Sequence, residues 1–546
     1  MIAASTAMGR RVRVVAALAW LAAPAVAQLG ISAELPTAFA AGLLAMTAGA
    51  LALPVAWTGR IRGVLLSLAP LALLSGFASA YLWVYRTPLT AGLIQSLLAT
   101  DSREALEQAG RYAGIAVACL TGWAAYLYCA WSLPREIEVP YRRGLLAGAA
   151  WTLLLAIYYP YVQFELYHRL DVIADLSFVR KSYPLNLVFI GSDLHAAATL
   201  PRFEDDVADQ ALPPLPSPYP LTGDEREVYV LVIGEAAQAH IWEELDPLRS
   251  RADVAYFGDA LAQANLSRAS VEMLVTGAAT LPDARALPTV IDWQGAAGCQ
   301  TAVISNSSAF RFAKRADIRH ATPKEEHDHD LLPVIEGLVA NRSLRKLCLV
   351  VHMIGSHQDY RARYAERFAR FSTDGYPEGA GFTGAYRNSI IASQDFLRSL
   401  MDMLARGDES AFLAFTSDHG ENLREINDLL EHGTMTPTEY EMRVPMLFWA
   451  SPAFIAGNTE RWEQLRRNRG APVSNGHVLP TLLDAMGILE AAQRRYAFAG
   501  SLLREFPGGP RRYVTPDFHE HPETDLLRDP RRHAGAASGG PTEAAP

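Results

Sequence analysis

The sequence predicts an α-helical transmembrane domain of five spans followed by an α/β domain with a largely parallel sheet. Five long, almost uncharged apolar runs crowd the first 166 residues. After residue 225, short apolar strands alternate with helix-like segments. Three of those strands stop abruptly at an acid or a histidine, and open α/β sheets bind their ligands just beyond the carboxyl ends of strands.

The apolar runs are about Val14–Ala33, Thr37–Trp57, Gly63–Tyr85, Tyr112–Leu133 and Gly144–Tyr161, each near the roughly 20 residues that cross a bilayer. A single run of this kind fits a buried core helix. Five in succession, joined by short polar connectors, point to membrane spans. Arg10, Arg11 and Arg13 precede the first run, Arg60 and Arg62 follow the second, and Arg135, Arg142 and Arg143 lie between the last two. Placing these arginines in the cytoplasm puts the amino terminus inside and everything after the fifth span outside. Ala25-Val26-Ala27 resembles a signal-peptidase site, so a cleaved first segment stays open; either way the second half is exported.

Residues 167–225 read as an interfacial amphipathic helix and then a Pro-rich linker, Leu212 to Pro220. Residues 226–520 form the external domain, and 521–546, rich in His, Pro, Gly and Ala, read as a disordered tail. The net charge of −9 comes without a basic tract, which argues against a nucleic-acid partner. Cys119 and Cys129 fall in a predicted span. Cys299 and Cys348 fall on predicted external strands, either as one disulfide or as two buried thiols.

In the external domain, strand Val228–Ile233 runs into Gly234-Glu235, and Leu347–Val351 runs into His352 and, five residues on, His357. A third strand, from Ala411, ends in Ser417-Asp418-His419-Gly420-Glu421, and His432-Gly433-Thr434 follows. Further elements are a strand at Thr301–Ser305, helices at Leu331–Val339 and Tyr386–Leu404, and a strand at Val444–Ala450. Any one of these histidines fits a satisfied turn. Together, at strand ends, carboxylates and imidazoles point to a metal or acid/base site.

These motifs, in this order, resemble the alkaline-phosphatase/sulfatase superfamily, and within it the membrane-bound phosphoethanolamine transferases. Gly234-Glu235, His352-x-x-Gly-Ser-His357, Tyr386-x-Asn388, Ser417-Asp-His-Gly-Glu421, His432-Gly-Thr434 and Val444-Pro-Met-Leu-Phe-Trp449 carry the likeness. The family sets its nucleophile seven residues before a Leu-Leu-Thr-Gly-like sequence. Leu274-Val-Thr-Gly277 therefore points to Ser267, with Ser270 as a second hydroxyl, although both also fit helix-capping serines. The resemblance implies a Zn²⁺ held by Glu235, Ser267, Asp418 and His419, possible recruitment of a second divalent metal, and catalytic roles for His357 and His432. It further implies that His352, Ser270 and Glu421 serve substrate or orient ligands. Gln95 and Glu104 lie in a segment that resembles the family's lipid-facing outer loop.

The implied reaction moves phosphoethanolamine from phosphatidylethanolamine to lipid A, a core sugar or an exported glycan, through a covalent Ser267 intermediate. It implies a monomer of the bacterial inner membrane with a periplasmic catalytic domain. Ala236, Gln238 and Gln358-Asp359 depart from the family pattern, and two cysteines cannot build its several disulfides. Phosphoglycerol transfer and sulfatase or phosphodiesterase chemistry use the same site types. Val271 stands where the sulfatase modification motif needs Arg. A non-catalytic envelope scaffold is the remaining reading.

Overall fold

A computed structural model describes residues 2–31, 47, 60–94, 102–133, 146, 148–150, 153, 183, 186–199, 212–215, 221, 225–245, 248–306, 311–321, 327–377 and 379–533. The chain divides into two compact units, Met1–His195 and Ala196–Pro546.

In the first unit, α1 (Ile2–Ile31), α2 (Ile61–Ser67), α3 (Ala69–Tyr85) and α4 (Ser102–Trp131) are apolar helices. Trp20 and Trp123 donate to the Ala72 and Ala69 carbonyls at 2.8 and 2.9 Å, satisfying indole N–H groups within the bundle. Gly122 makes room for Trp20, since a Cβ there would sit 1.9 Å from the indole. Among the described residues, Met8–Gln28 and Tyr112–Trp131 are long and apolar enough to cross a membrane. The pair α2 and α3, bent by 57° where Pro70 enters the second helix, makes a third if counted as one span. The predicted runs Thr37–Trp57 and Gly144–Tyr161 lie almost wholly outside the described residues. So does the amphipathic stretch before the helix Asn186–Thr199.

The second unit is built on a seven-stranded sheet. Its strands are β1 (Glu227–Gly234), β2 (Val254–Phe257), β3 (Gln300–Ser305), β4 (Ile318–Ala321), β5 (Lys346–His352), β6 (Ser410–Ser417) and β7 (Met446–Ala450). Their spatial order is β2-β7-β6-β1-β5-β3-β4. Side chains alternate between two cores. Val228, Val230 and Val232 face one with Leu349, Leu413 and Phe415. Tyr229, Leu231 and Ile233 face the other with Val350, Phe412 and Ala414. The long helix Gly379–Leu404 covers the first face through Tyr386, Ile390, Phe396 and Leu400, while the helix Ser267–Thr276 packs on the second through Val271, Leu274 and Val275.

The sheet is mixed, where the sequence reading expected a largely parallel one. The pairings of β1, β3, β4, β5 and β6 are parallel, but β7 runs antiparallel to both β6 and β2. The connection from Asp418 to Pro445 stays at the carboxyl end of β6. The chain therefore re-enters the sheet at the end it left, and β7 must run backwards. A disulfide joins Cys299 to Cys348. Within the stretch from residue 521 that the sequence reads as a disordered tail, the described residues carry structure: Glu520–Pro522 pairs with Arg512–Val514, Leu526 is buried, and Tyr440 donates to Asp529 at 2.8 Å. Its apolar and ion-pairing residues anchor it, which composition alone conceals.

Phe415 is buried and stacks on Trp242 at 5.1 Å. Phe415→Ala should therefore cost about 3–5 kcal/mol in chemical unfolding followed by tryptophan fluorescence. A loss below about 1 kcal/mol would mean this layer does not hold the sheet as described.

Candidate active site

Three adjacent parallel strands set the site. Ile233 lies opposite His352, and Gly234 opposite Ser417, so Glu235, His352 and Asp418 leave the sheet at one edge. The loop after β5 closes on the loop after β1 through Gly355. Its φ is +51°, and a Cβ would come within 2.8 Å of the Glu235 carbonyl oxygen. Ser356 N–H donates to that oxygen at 3.0 Å. The buried Asp328 carboxylate takes N–H bonds from Ile354 (2.8 Å) and Gly355 (3.0 Å), and Asn306 Nδ2 adds a third at 3.1 Å. Tyr386, from the long helix, donates to the Ala236 carbonyl and accepts from Gln238 N–H, both at 2.7 Å. Ala236 is held at a φ of +53° and donates its N–H to Asp418 Oδ1 at 3.1 Å.

Ser267 is the first residue of its helix and follows the extended Leu266. Its Oγ lies 3.0 Å from Glu235 Oε1 and 3.0 Å from His419 Nε2. His419 Nδ1 is 2.8 Å from the Gly420 carbonyl, which can only accept. Neutral His419 therefore carries its proton on Nδ1 and turns the Nε2 lone pair toward Ser267. Glu235 Oε1 lies 3.4 Å from that nitrogen and Asp418 Oδ2 3.3 Å. Four electron-rich atoms thus converge with little exposure to water.

This convergence is costly without a cation. Asp418 Oδ1 accepts from Ala236 and His419 N–H groups, but Oδ2 is buried with no hydrogen-bond partner. Burial and the neighbouring Glu235 charge push the Asp418 carboxyl up to about 7, against the pull of His419. Burial also raises Glu235, but the His419 hydrogen bond and charge, with His357 and His352, hold it well below the usual carboxylate range. His419, lowered by burial, is carried up to about 10 by Asp418 and Glu235. Glu235, Asp418 and His419 each offer an atom within 4.8 Å of the others. An orphaned carboxylate oxygen, a second carboxylate and an imidazole lone pair beside a serine hydroxyl fit a zinc ion.

A second group of donors, His419, Glu421 and His432, lies alongside. His432 Nδ1 is 3.1 Å from Glu421 Oε2, and the His432 and His419 rings are 3.9 Å apart. Burial and the His419 charge hold His432 well below its ordinary pKa, while burial and Glu431 push Glu421 well above its own. Gln238 Nε2 donates to the Glu421 carbonyl at 2.9 Å, so this departure from the family pattern supports the loop directly.

The other sequence candidates are placed as follows. His357 is half-buried, and its charge acts on both Glu235 and His432. His352 is buried beneath them, brought down to about 4 by that burial. Ser270 does not face the cluster: its Oγ donates to the Asp418 carbonyl at 2.6 Å and receives Asn475 Nδ2 at 3.3 Å. Gln95 lies outside the described residues, and Glu104 lies on α4 with its side chain outside them. Sequence reasoning passed over Asp328 and Glu441. Both are buried acids in polar segments; Glu441 lies between the His432 and Val444 motifs, whereas nothing in the sequence around Asp328 marks it.

The sulfatase family profile matches residues 228–488. The chain is 29% identical to the Kdo(2)-lipid A phosphoethanolamine 7''-transferase of Salmonella typhimurium over 199 residues, 34% of each protein. It is 24% identical to the phosphoethanolamine transferase CptA of the same organism over 477 residues, 74% of this chain and 77% of that protein. It therefore spans about a third of the first relative and three quarters of the second. Among solved structures, the integral membrane lipooligosaccharide phosphoethanolamine transferase A (EptA) of Neisseria meningitidis shares the fold. The TM-score is 0.69 at 17% identity, covering 88% of this chain and 95% of that one.

Purified full-length chain should carry about one zinc per molecule by elemental analysis, and Asp418→Ala or His419→Ala should remove most of it. Binding displaces the proton that His419 holds up to about 10 and the one Asp418 takes up near 7. Affinity should therefore fall as pH is lowered from about 8 to about 6. Full occupancy in both variants would contradict the ligand assignment.

Proposed function

We propose that the chain, whose residues 228–488 match the sulfatase family profile, transfers phosphoethanolamine from phosphatidylethanolamine to an envelope acceptor through a covalent intermediate on Ser267. The observation that carries this reading is the Ser267 hydroxyl, 3.0 Å from both Glu235 and His419 at a helix start. The relatives' names, phosphoethanolamine transferases of lipid A and lipooligosaccharide among them, support the headgroup and the acceptor class.

Glu235, Asp418 and His419 would hold a zinc ion, whose positive charge would favour the ionised Ser267 hydroxyl and draw electrons from a phosphoryl oxygen. The chain's own groups do the rest. Ser267 Oγ forms the new bond to phosphorus as the bond to the diacylglycerol oxygen breaks. That oxygen takes a proton from an imidazolium, the part the half-buried His357 is placed to play, while His432, held neutral by burial and the His419 charge, is placed to hold a phosphoryl oxygen. An acceptor hydroxyl or phosphate oxygen then displaces Ser267, returning its oxygen, and the hydroxyl's proton goes to His357. The N–H groups of the helix's first turn favour the negative charge that gathers at its start.

A lipid donor fits a chain whose first unit is apolar helices, and the reading extends to five spans, an inner-membrane location and a monomer. The Cys299–Cys348 disulfide supports an oxidising compartment for the second unit, such as the periplasm.

Incubation with phosphatidylethanolamine should add one phosphoethanolamine mass to the peptide containing Ser267, found by mass spectrometry. Ser267→Ala should abolish adduct and turnover while keeping most of the metal, because the hydroxyl is the weakest of the donors and both carboxylates and the imidazole remain. Phosphatidylglycerol in a parallel sample distinguishes the headgroup. Absence of any adduct, with activity retained in Ser267→Ala, would overturn the mechanism.

A further inference from the structure

Glu441 sits in the short helix Glu439–Met442, between the His432 loop and β7, and has no exposed surface. Its carboxylate is fully engaged. Oε1 accepts from Asn265 Nδ2 at 2.7 Å and Thr434 N–H at 2.9 Å. Oε2 accepts from Thr434 Oγ1 at 2.5 Å and Asn422 Nδ2 at 3.1 Å. Its carbonyl oxygen also accepts from Gly420 N–H at 2.7 Å. The side chain is fixed from behind: Thr438 caps the helical turn, accepting from Glu441 N–H at 3.2 Å, and its hydroxyl bonds Asn422 Oδ1.

The partners are not scattered. Asn265 stands two residues before Ser267, Gly420 follows His419, Asn422 follows Glu421, and Thr434 stands two residues after His432. These are three separate segments, each carrying one part of the site; among the described residues no strand pairing joins the Ser267 and His432 segments, and Asn265 Nδ2, which also donates to the Thr434 carbonyl at 2.8 Å, shares with Glu441 the work of linking them. A buried carboxylate survives only if its oxygens are satisfied. Here the satisfaction itself fixes the spacing of the segments.

We propose that Glu441 is a positioning residue that sets Ser267 and the His432–Glu421 pair in register for phosphoryl transfer. This rests on the transferase reading above. Glutamine has the same shape but presents an amide N–H where Thr434 or Asn422 already donates, so it breaks the register without emptying the space. Aspartate keeps the charge but is one methylene short, so it can recover only part of the hydrogen bonding.

The test uses full-length chain in phosphatidylethanolamine vesicles. Glu441→Gln should lower kcat about 100-fold, as for a misplaced reacting group, with KM within about threefold and zinc content unchanged, since Glu441 touches none of the metal donors. Glu441→Asp should recover part of the rate. Combined with His432→Ala, Glu441→Gln should cost less than about threefold more, because both act through one group, whereas general destabilisation would add independently. Hydrogen exchange should quicken in peptides covering 420–436. If Glu441→Gln does not fold, Thr434→Val, which removes one of the four side-chain bonds, should still lower kcat about tenfold. Wild-type kcat in a folded variant, an additive double mutant, or unchanged exchange would each overturn the role. If the wild-type chain turns over no phospholipid, the transferase reading fails, and exchange alone decides whether Glu441 holds these segments.

Discussion

The buried meeting of Glu235 and Asp418 beside His419 is the constraint on which the rest of this domain depends. Two carboxylates and an imidazole taken out of water repel solvent-starved charge unless something compensates them. Part of the compensation is protein: Ala236 N–H on Asp418 Oδ1, and the Gly420 carbonyl on His419 Nδ1. Asp418 Oδ2 is left over, and a cation completes the set. The surrounding structure serves to keep this arrangement from relaxing. Tyr386 clamps the Ala236–Gln238 turn, Gly355 lets the β5 loop lie directly against Glu235, and Ser270 holds the Asp418 carbonyl.

Much of this was legible in the sequence because strand ends are legible. Val228–Ile233, Leu347–Val351 and the run from Ala411 are apolar on both faces, as strands buried between two layers must be. Their sudden endings in Glu235, His352 and Asp418 follow from the parallel register that aligns them. Ser267 could be located by its distance from Leu274-Val-Thr-Gly277, and the structure sets its hydroxyl 3.0 Å from Glu235.

The rest was hidden for physical reasons. Asp328 and Glu441 read as solvated acids, since burial of a charged group depends on donors brought from distant segments. The antiparallel course of β7 depends on where a long connection spends its length, which strand composition does not record. The structure carried by the stretch from residue 521 was masked by its polar composition, although Leu526 and the Arg511–Glu523 ion pair, 2.6 Å apart, anchor it. The family resemblance assigns Ser270 to substrate as the motif's second hydroxyl; its side chain reaches the Asp418 backbone carbonyl.

The most direct measurement is anomalous diffraction at the zinc edge from crystals of the full-length chain. The predicted result is a peak bounded by Glu235, Ser267, Asp418 and His419, within bonding distance of Asp418 Oδ2 and His419 Nε2. A fully occupied peak elsewhere, or none there with Asp418 Oδ2 still unpartnered, would contradict the claim that this buried charge cluster is a metal site that activates Ser267.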